Sequence, residues 1–169
     1  MSLSLYDVSI PVYLNGLRNL VAILDKSTTH AGSSIASWLT ARLAPDMHDL
    51  TRQIQMVSDA AKGGAARLAG IEPPAMPDTE TTIDELRERL AKTIAFVESI
   101  KPEQVNGREA ATIELKFPNG AMTFTGRDFL FNFSLPNFYF HTVTAYGLLR
   151  KEGAPIGKMD FLAGGRQAA

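Results

Sequence analysis

The chain has 169 residues, of which 45% are hydrophobic and 21% charged, and this size and composition are typical of one globular domain. Its 17 basic and 18 acidic side chains leave a net charge of −1 without a basic stripe, so we expect neither nucleic acid nor a membrane surface as a partner. The absence of cysteine excludes a disulfide scaffold, thiolate metal ligands and a cysteine nucleophile, and it fits the cytoplasmic location that we expect.

The N-terminal segment predicts the first helix. Asp7 and Pro11 precede any long apolar run, which argues against a signal peptide, and no stretch of about 18 apolar residues predicts a membrane span. Apolar residues recur at helical spacing over about residues 5–27, with Pro11 in the first turn or at a kink. After a polar break, residues 35–41 around Trp38 predict a short helical turn.

A second helix is predicted to begin at residues 44–47, where a proline and an aspartate are suited to a helix N-terminus, and to end near Gly70. Gly63 and Gly64 within it each cost about 1 kcal/mol relative to alanine, which indicates close backbone packing. The apolar stripe of this helix comprises Met47, Leu50, Ile54, Val57, Ala61, Ala65 and Leu68.

The third helix is predicted over residues 81–100, where Thr82 and Glu85 have the spacing of a capping box. The hydrophobic period then changes from helical to alternating. Residues 112–117 and 121–125 flank an Asn-Gly pair, which is a strong signal for a β-hairpin.

The fourth helix is predicted to begin after Thr125 and to run to about Lys151, with a kink at Pro136. Beyond it, Phe161 and Leu162 are expected to pack on the bundle, followed by a flexible tail at about 163–169. The predicted fold is therefore all-α: one domain over residues 1–169, a four-helix bundle with a small β-hairpin inserted before the last helix.

The three histidines are the first candidates for a functional site. His30 lies in the first polar break, and His48 lies near the start of the second helix. On a helical wheel His48 shares a face with Gln55 and Asp59 opposite the apolar stripe, which favours solvent or a partner surface.

His141 belongs to a polar stripe on the fourth helix that comprises Ser134, Asn137, His141 and Thr144. The stripe is compatible with a polar pocket in the bundle, in which His141 is a metal ligand, a base or a hydrogen-bond donor. It is equally compatible with a solvent-exposed face, because it extends to Arg127 and Glu152, or with a buried structural histidine. A second candidate for the exposed face comprises Asp128, Asn132, Tyr139, Tyr146 and Arg150.

Phenylalanine is unusually dense over residues 129–140. A helix that is apolar on nearly all sides must be covered on nearly all sides, which favours a central helix or an oligomer interface. The sequence contains no nucleotide-binding glycine motif, no HExxH and no GxSxG, and it does not establish whether the protein is an enzyme.

Four segments resemble a bacterial family of unknown function within the DinB/YfiT-like superfamily of four-helix bundles. They are LAPDMHDLTRQIQ (43–55), DAAKGGAARLAG (59–70), DTETTIDEL (78–86) and, most specifically, LPNFYFHTVTAYGLLRKEGAPIGKMDFL (135–162). The resemblance extends over nearly the whole chain. It implies an up-down-down-up bundle with a hairpin before the fourth helix, and a homodimer.

The resemblance also implies a metal site, since characterised members of the superfamily bind a divalent metal through a histidine on the second helix and an HxxxH pair on the fourth. Only His141 matches that pattern, because its partner positions are Asn137 and Ala145. One histidine falls short of the three nitrogen ligands that such a site needs.

We therefore predict a protein that binds a small molecule or a partner, without a cofactor, through a pocket formed by Asn137, His141, Thr144 and Tyr146. The alternative is a metal-dependent transferase or hydrolase with a reduced ligand set, in which His141, and His48 as a further candidate, hold zinc or nickel. A third possibility is a dimer with a purely structural role.

Overall fold

The computed structural model describes residues 3–164 and is largely helical. A two-stranded hairpin interrupts the helices, as predicted. In chain order the elements are α1 (Ile10–Ala31), α2 (Ile35–Trp38), α3 (Leu50–Ala69), α4 (Ile83–Ser99), α5 (Pro102–Val105), β1 (Thr112–Phe117), β2 (Gly120–Thr125), α6 (Gly126–Phe129), α7 (Leu135–Lys151) and α8 (Lys158–Ala163).

Helix α4 runs antiparallel to α1 and parallel to α3. Arg18 of α1 pairs with Glu98 near the end of α4, whereas Asp25, further along α1, pairs with Arg87 near the start of α4. Contacts between α3 and α4 advance in the same direction along both segments. Gln55 bonds Glu80, before α4 begins, and Asp59, further along α3, pairs with Arg89 within α4.

Helix α7 completes the bundle. It is antiparallel to α3, because Gln53 contacts His141 whereas Gly64, eleven positions later, lies against Ser134. It is parallel to α1, since Tyr13 bonds Ser134 and Gly16 lies against Phe138, four residues later. The directions are therefore up, down, down and up for α1, α3, α4 and α7, which confirms the predicted bundle.

The apolar stripes predicted from helical spacing form the core. Within α3 the predicted stripe is fully buried from Leu50 to Leu68, whereas Met47 lies before the helix and is only partly buried. Gly64 lies where α3 approaches α1 and α7: a Cβ atom there would lie 2.5 Å from both the Tyr13 and the Ser134 hydroxyl oxygens. The prediction of close packing at the glycine pair is confirmed at this position.

The start of α3 was predicted too early, at residues 44–47. The helix begins at Leu50, where the Asp49 side chain accepts a hydrogen bond from the Arg52 backbone N–H at 2.9 Å and caps the first turn. The predicted capping box of α4 is present, since Thr82 and Glu85 each bond the backbone N–H of the other residue. Gly70 ends α3 in the left-handed conformation.

The hairpin pairs β1 with β2 in antiparallel register, from Thr112 opposite Thr125 to Phe117 opposite Gly120. Gly120 has φ of 145°, which a residue with a side chain rarely adopts, and this explains why glycine follows asparagine in the turn. Phe124 of β2 packs against Phe129 and Phe133, with ring centroids 6.2 and 5.7 Å away. The hairpin is thereby attached to the start of the fourth bundle helix.

The fourth bundle helix is continuous from α6 to α7 but contains a π-helical turn over Leu130–Ser134. In that turn the Leu135 backbone N–H bonds the Leu130 carbonyl, five residues back instead of four. The disturbance precedes Pro136, which has no N–H to donate to the preceding turn. The irregularity that the structure shows is this π-helical turn, which ends two residues before Pro136, where the sequence predicted a kink.

The C-terminal segment folds back onto α1 as the short helix α8, which was not predicted. Asn19 donates side-chain hydrogen bonds to the carbonyls of Phe161 and Leu162, and Lys26 pairs with Asp160 at 2.9 Å. Residues 165–169 of the predicted flexible tail lie outside the described residues. No helix within residues 3–164 is long and apolar enough to cross a membrane.

Candidate functional site

A cleft of about 230 Å³ lies between α3, the fourth bundle helix and the hairpin. Ser134, Asn137 and His141 contribute polar groups to one wall. Helix α3 forms the facing wall, and β1 covers one end with Lys116 and its neighbours. The cleft therefore contains three of the four residues of the predicted polar stripe.

The polar stripe faces the bundle interior. Ser134, His141 and Thr144 are 3%, 5% and 7% exposed. The second candidate for the exposed face is the more solvent-exposed side of the helix. Its residues Asp128, Asn132, Tyr139 and Arg150 are exposed, and Tyr146 is partly buried. This orientation decides between the two faces that helical spacing left open.

Gln53 holds the His141 ring in place. Its side-chain amide nitrogen donates to the His48 backbone carbonyl at 3.3 Å, which leaves its amide oxygen to face His141 Nδ1 at 2.8 Å. Because an amide oxygen only accepts, Nδ1 carries the ring proton of neutral His141. Nε2 therefore has a free lone pair.

His141 Nε2 is the ring nitrogen that keeps solvent contact. It has no hydrogen-bond partner among the described residues. Every fully buried side-chain nitrogen or oxygen atom of those residues does have a partner, so Nε2 is not fully buried. Nε2 therefore retains solvent contact, and the ring lines the cleft.

Burial lowers the pKa of His141 below its ordinary value of 6.5, and electrostatic interactions with His48 and Arg52 lower it further. The side chain is accordingly neutral at physiological pH. A neutral imidazole with its proton on Nδ1 is a hydrogen-bond acceptor or a base at Nε2.

The two other residues of the predicted pocket do not line the cleft. The Thr144 hydroxyl donates to the Phe140 carbonyl at 2.7 Å, so its polar group is satisfied by its own helix. Tyr146 packs against Phe161, with ring centroids 5.8 Å apart. The predicted pocket is therefore corrected to Asn137 and His141, with Ser134 from the same stripe.

Helix α3 supplies residues that the sequence did not place in the pocket. Arg52, Met56, Asp59 and Arg67 face the fourth helix across the cleft. Gln53 carried one usable signal, because it is a polar residue beside Leu50 and Ile54 in the apolar stripe. No comparable signal marked Arg67 or Lys116, since both fit an ordinary solvent-exposed pattern.

The face predicted for His48, Gln55 and Asp59 is only partly exposed. His48 is exposed in the loop before α3, but Gln55 is 4% exposed and bonds Glu80. Asp59 accepts from Arg89 at 2.8 Å. Helix α4 and its preceding loop cover this side of α3, which helical spacing alone could not show.

The comparisons with known proteins agree with the fold. A family model described as "Domain of unknown function (DUF1993)" matches residues 5–162. The chain belongs to the DUF1993 family. The crystal structure of a DinB family member protein from Shewanella denitrificans is similar, with 37% identity and a TM-score of 0.87 over 98% of this chain and 95% of that one. No curated protein matches the chain.

The donor set of this DUF1993 domain does not fit the metal site that the superfamily resemblance implies. Within residues 3–164 no group of three or more His, Cys, Asp or Glu side chains is arranged to hold a metal ion. His141 faces a glutamine at Nδ1, and Ala145 is fully buried with no donor atom. His48 is exposed, and its backbone carbonyl accepts a hydrogen bond from Gln53.

Proposed function

We propose that this DUF1993 protein binds a small organic molecule in the cleft beside His141, and that the ligand donates a hydrogen bond to His141 Nε2. The observation that carries this proposal is the hydrogen-bond chain from His141 Nδ1 through Gln53 to the His48 carbonyl. A buried imidazole held in one tautomer, with its free nitrogen open to a cavity, is a preorganised acceptor.

The lining of the cleft supports a small ligand with both polar and apolar parts. Asn137 makes no side-chain hydrogen bond to another described residue, so its amide can bind a ligand as donor and acceptor. Phe129, Phe133 and Met56 provide apolar contacts. The volume is below the roughly 300–1,000 Å³ of drug-sized sites, which favours a molecule the size of a substituted phenol.

The hydrogen bond to Nε2 is tested with 4-ethylphenol, which has a hydroxyl donor, and 4-ethylanisole, which lacks it. We expect 4-ethylphenol to shift the ¹⁵N resonance of His141 Nε2 and to bind about fivefold more tightly than the anisole, as for one hydrogen bond of about 1 kcal/mol. In His141→Asn the difference should vanish. Asparagine keeps a donor to Gln53 near the position of Nδ1 but has no atom at Nε2.

His30→Asn is the matched control, because His30 is exposed at the end of α1. It should leave the preference for the phenol unchanged. Equal affinity of both compounds in the wild type, or an unmoved Nε2 resonance, would contradict the proposal. So would stoichiometric zinc or nickel in protein purified without an affinity tag, if that metal disappears in His141→Asn.

A further inference from the structure

We infer that the ligand of this cleft carries a carboxylate on an apolar body, and that Arg67 and Lys116 bind the carboxylate. This inference rests on the proposed function and adds the chemical class of the ligand. It is carried by the charges around the cleft, which are three cations and one carboxylate: Arg52, Arg67, Lys116 and Asp59.

Two of these four charges are already neutralised by neighbours. Arg52 forms an ion pair with Asp78 and also bonds the Gln55 amide oxygen at 3.2 Å. Asp59 accepts from Arg89 at 2.8 Å and from Lys62 at 3.1 Å. Neither Arg52 nor Asp59 therefore determines the net charge that a ligand meets.

Arg67 and Lys116 are the cations left without a close partner. The half-buried Arg67 guanidinium has no hydrogen-bond acceptor and no carboxylate within ion-pair distance among the described residues. Among the described residues, the carboxylate within ion-pair distance of Lys116 is Glu114, at 3.8 Å, and the lysine side chain is 81% exposed. A ligand in the cleft thus meets one positive charge without a counter-ion, at Arg67, and a second, at Lys116, whose ion pair is long and exposed to solvent.

Gly63 explains how Arg67 reaches its position. A Cβ atom at residue 63 would lie 2.5 Å from Arg67 Nη1, so the guanidinium occupies the space that a side chain would take. The glycine lets the Arg67 side chain fold back along α3 beside the cleft. This is a specific use of a residue that otherwise weakens the helix.

An aromatic pair marks the place of the apolar part of the ligand. Phe129 and Phe133 stack with ring centroids 6.1 Å apart, and both line the cleft together with Leu115. An apolar body next to this pair brings a terminal carboxylate within the same small cavity as Arg67. A planar guanidinium binds a carboxylate through two parallel hydrogen bonds.

A neutral ligand is disfavoured at the same position. It would exclude water from the half-buried Arg67 guanidinium without supplying a negative charge, and this desolvation reduces the affinity. The cleft therefore discriminates between a carboxylate and a neutral molecule of the same shape.

The test compares 3-(4-hydroxyphenyl)propionate with its neutral analogue 3-(4-hydroxyphenyl)propan-1-ol by titration calorimetry of the full chain. We expect the carboxylate to bind at least about tenfold more tightly at low salt, and this advantage to shrink at 0.5 M sodium chloride because salt screens the charges. Arg67→Gln should remove most of the advantage, because it weakens binding of the carboxylate and also relieves the desolvation that disfavours the alcohol.

Arg18→Gln is the matched control, since Arg18 lies on α1, pairs with Glu98 and is 53% exposed. It should leave both affinities unchanged. Equal binding of carboxylate and alcohol, or an advantage that persists in Arg67→Gln, would overturn the inference while the proposed function stands. Failure of both compounds to bind would overturn the proposed function as well.

Discussion

His141 is the residue at which burial and chemistry are most directly coupled. Its Nδ1 is bonded to Gln53, its pKa is lowered chiefly by burial, and its side chain is 5% exposed. In the unfolded chain the same imidazole titrates near 6.5. The difference between the pKa of His141 in the folded chain and in the unfolded chain makes the stability of the fold depend on pH.

We expect the protein to be less stable at pH 5.5 than at pH 7.5. As the pH falls below 6.5, the unfolded chain binds a proton before the folded one does, so stability is lost until the lower folded pKa is reached. A single site changes the free energy of unfolding by at most about 1.4 kcal/mol per pH unit in that interval.

Thermal unfolding of the wild type and of His141→Asn, measured at several pH values between 5 and 8, checks this expectation. The variant should lose less stability across the interval than the wild type. Identical slopes in the two proteins would show that His141 does not titrate differently on folding. His30→Asn serves as the control because His30 is exposed.

At the scale of single residues, the sequence identified the part of the candidate site that lies on the fourth helix. The spacing of Asn137 and His141 was sufficient to place both on one stripe, since helical periodicity relates residues within a helix. The contributions of Gln53, Arg67 and Lys116 depend on contacts between different elements. Those contacts are set by tertiary packing, about which a local pattern carries no information.

At the scale of elements, Arg89 connects α3 and α4 with the loop that precedes α4. Its side chain is 1% exposed and pairs with Asp59 at 2.8 Å, Asp78 at 2.9 Å and Glu80 at 3.1 Å. Its Nε also donates to the Ser58 hydroxyl at 3.1 Å. One guanidinium thereby holds three carboxylates from two segments of the chain.

We expect Arg89→Met to reduce the free energy of unfolding by about 3 kcal/mol, because it removes the buried cation that three carboxylates share and leaves Glu80 without an ion-pair partner among the described residues. This loss is at the low end of the range of about 3–5 kcal/mol for breaking a buried ion pair, because Asp59 and Asp78 are 40% and 37% exposed and can be hydrated again. Denaturant unfolding measures the change.

Arg87→Met is the matched control for that substitution. Arg87 also pairs with two carboxylates, Asp25 and Asp84, but those are 57% and 86% exposed. An exposed ion pair contributes less than about 1 kcal/mol, so this variant should lose little stability. A loss as large as that of Arg89→Met would contradict the role assigned to burial.

Element boundaries show where sequence patterns were sufficient. The end of α3 is marked by Gly70 and the start of α4 by the capping box of Thr82 and Glu85, and both boundaries were predicted correctly. The start of α3 was misplaced because Pro45 and the residues after it also satisfy the rules for a helix N-terminus. The cap at Asp49 prevails in the folded chain.

At the scale of the whole molecule, α7 presents an apolar surface that nothing in the described chain covers. Tyr139, Phe140 and Val143 are 39%, 56% and 52% exposed on neighbouring turns. Part of the phenylalanine-rich segment is in the core, as Phe129 and Phe138 are, and part is on this surface. The homodimer implied by the family resemblance stays a prediction.

We expect a second copy of the chain to cover this surface, with α7 of one protomer against α7 of its partner. Val143→Lys should weaken the dimer by at least about tenfold, because a lysine would lose its hydration at the interface. Sedimentation equilibrium measures the association. Met159→Lys is the control, since Met159 is 60% exposed on α8.

A monomeric wild type, or equal weakening by Met159→Lys, would contradict this interface.

The overall bundle itself was predicted correctly from the sequence because its stripes and hairpin signals are strong. The directions of its four helices came from the family resemblance, since the periodicity of a single helix does not specify which neighbours it packs against.

The π-helical turn over Leu130–Ser134 has a consequence for how the cleft can vary. Phe129, Phe133, Asn137 and His141 are spaced by four residues, and in a regular α-helix each such step overshoots a full turn by about 40°. The wider π turn reduces this drift, which keeps the aromatic pair and the polar pair on one side. Because the π turn contains one residue more than an α-helical segment of the same rotation, deleting one residue from it would restore α-helical geometry and keep Phe129 on the side of His141, whereas a deletion in a regular part of the helix would rotate the two by about 100°. The π turn is thus the part of this helix that can lose one residue while the two halves of the cleft keep their alignment.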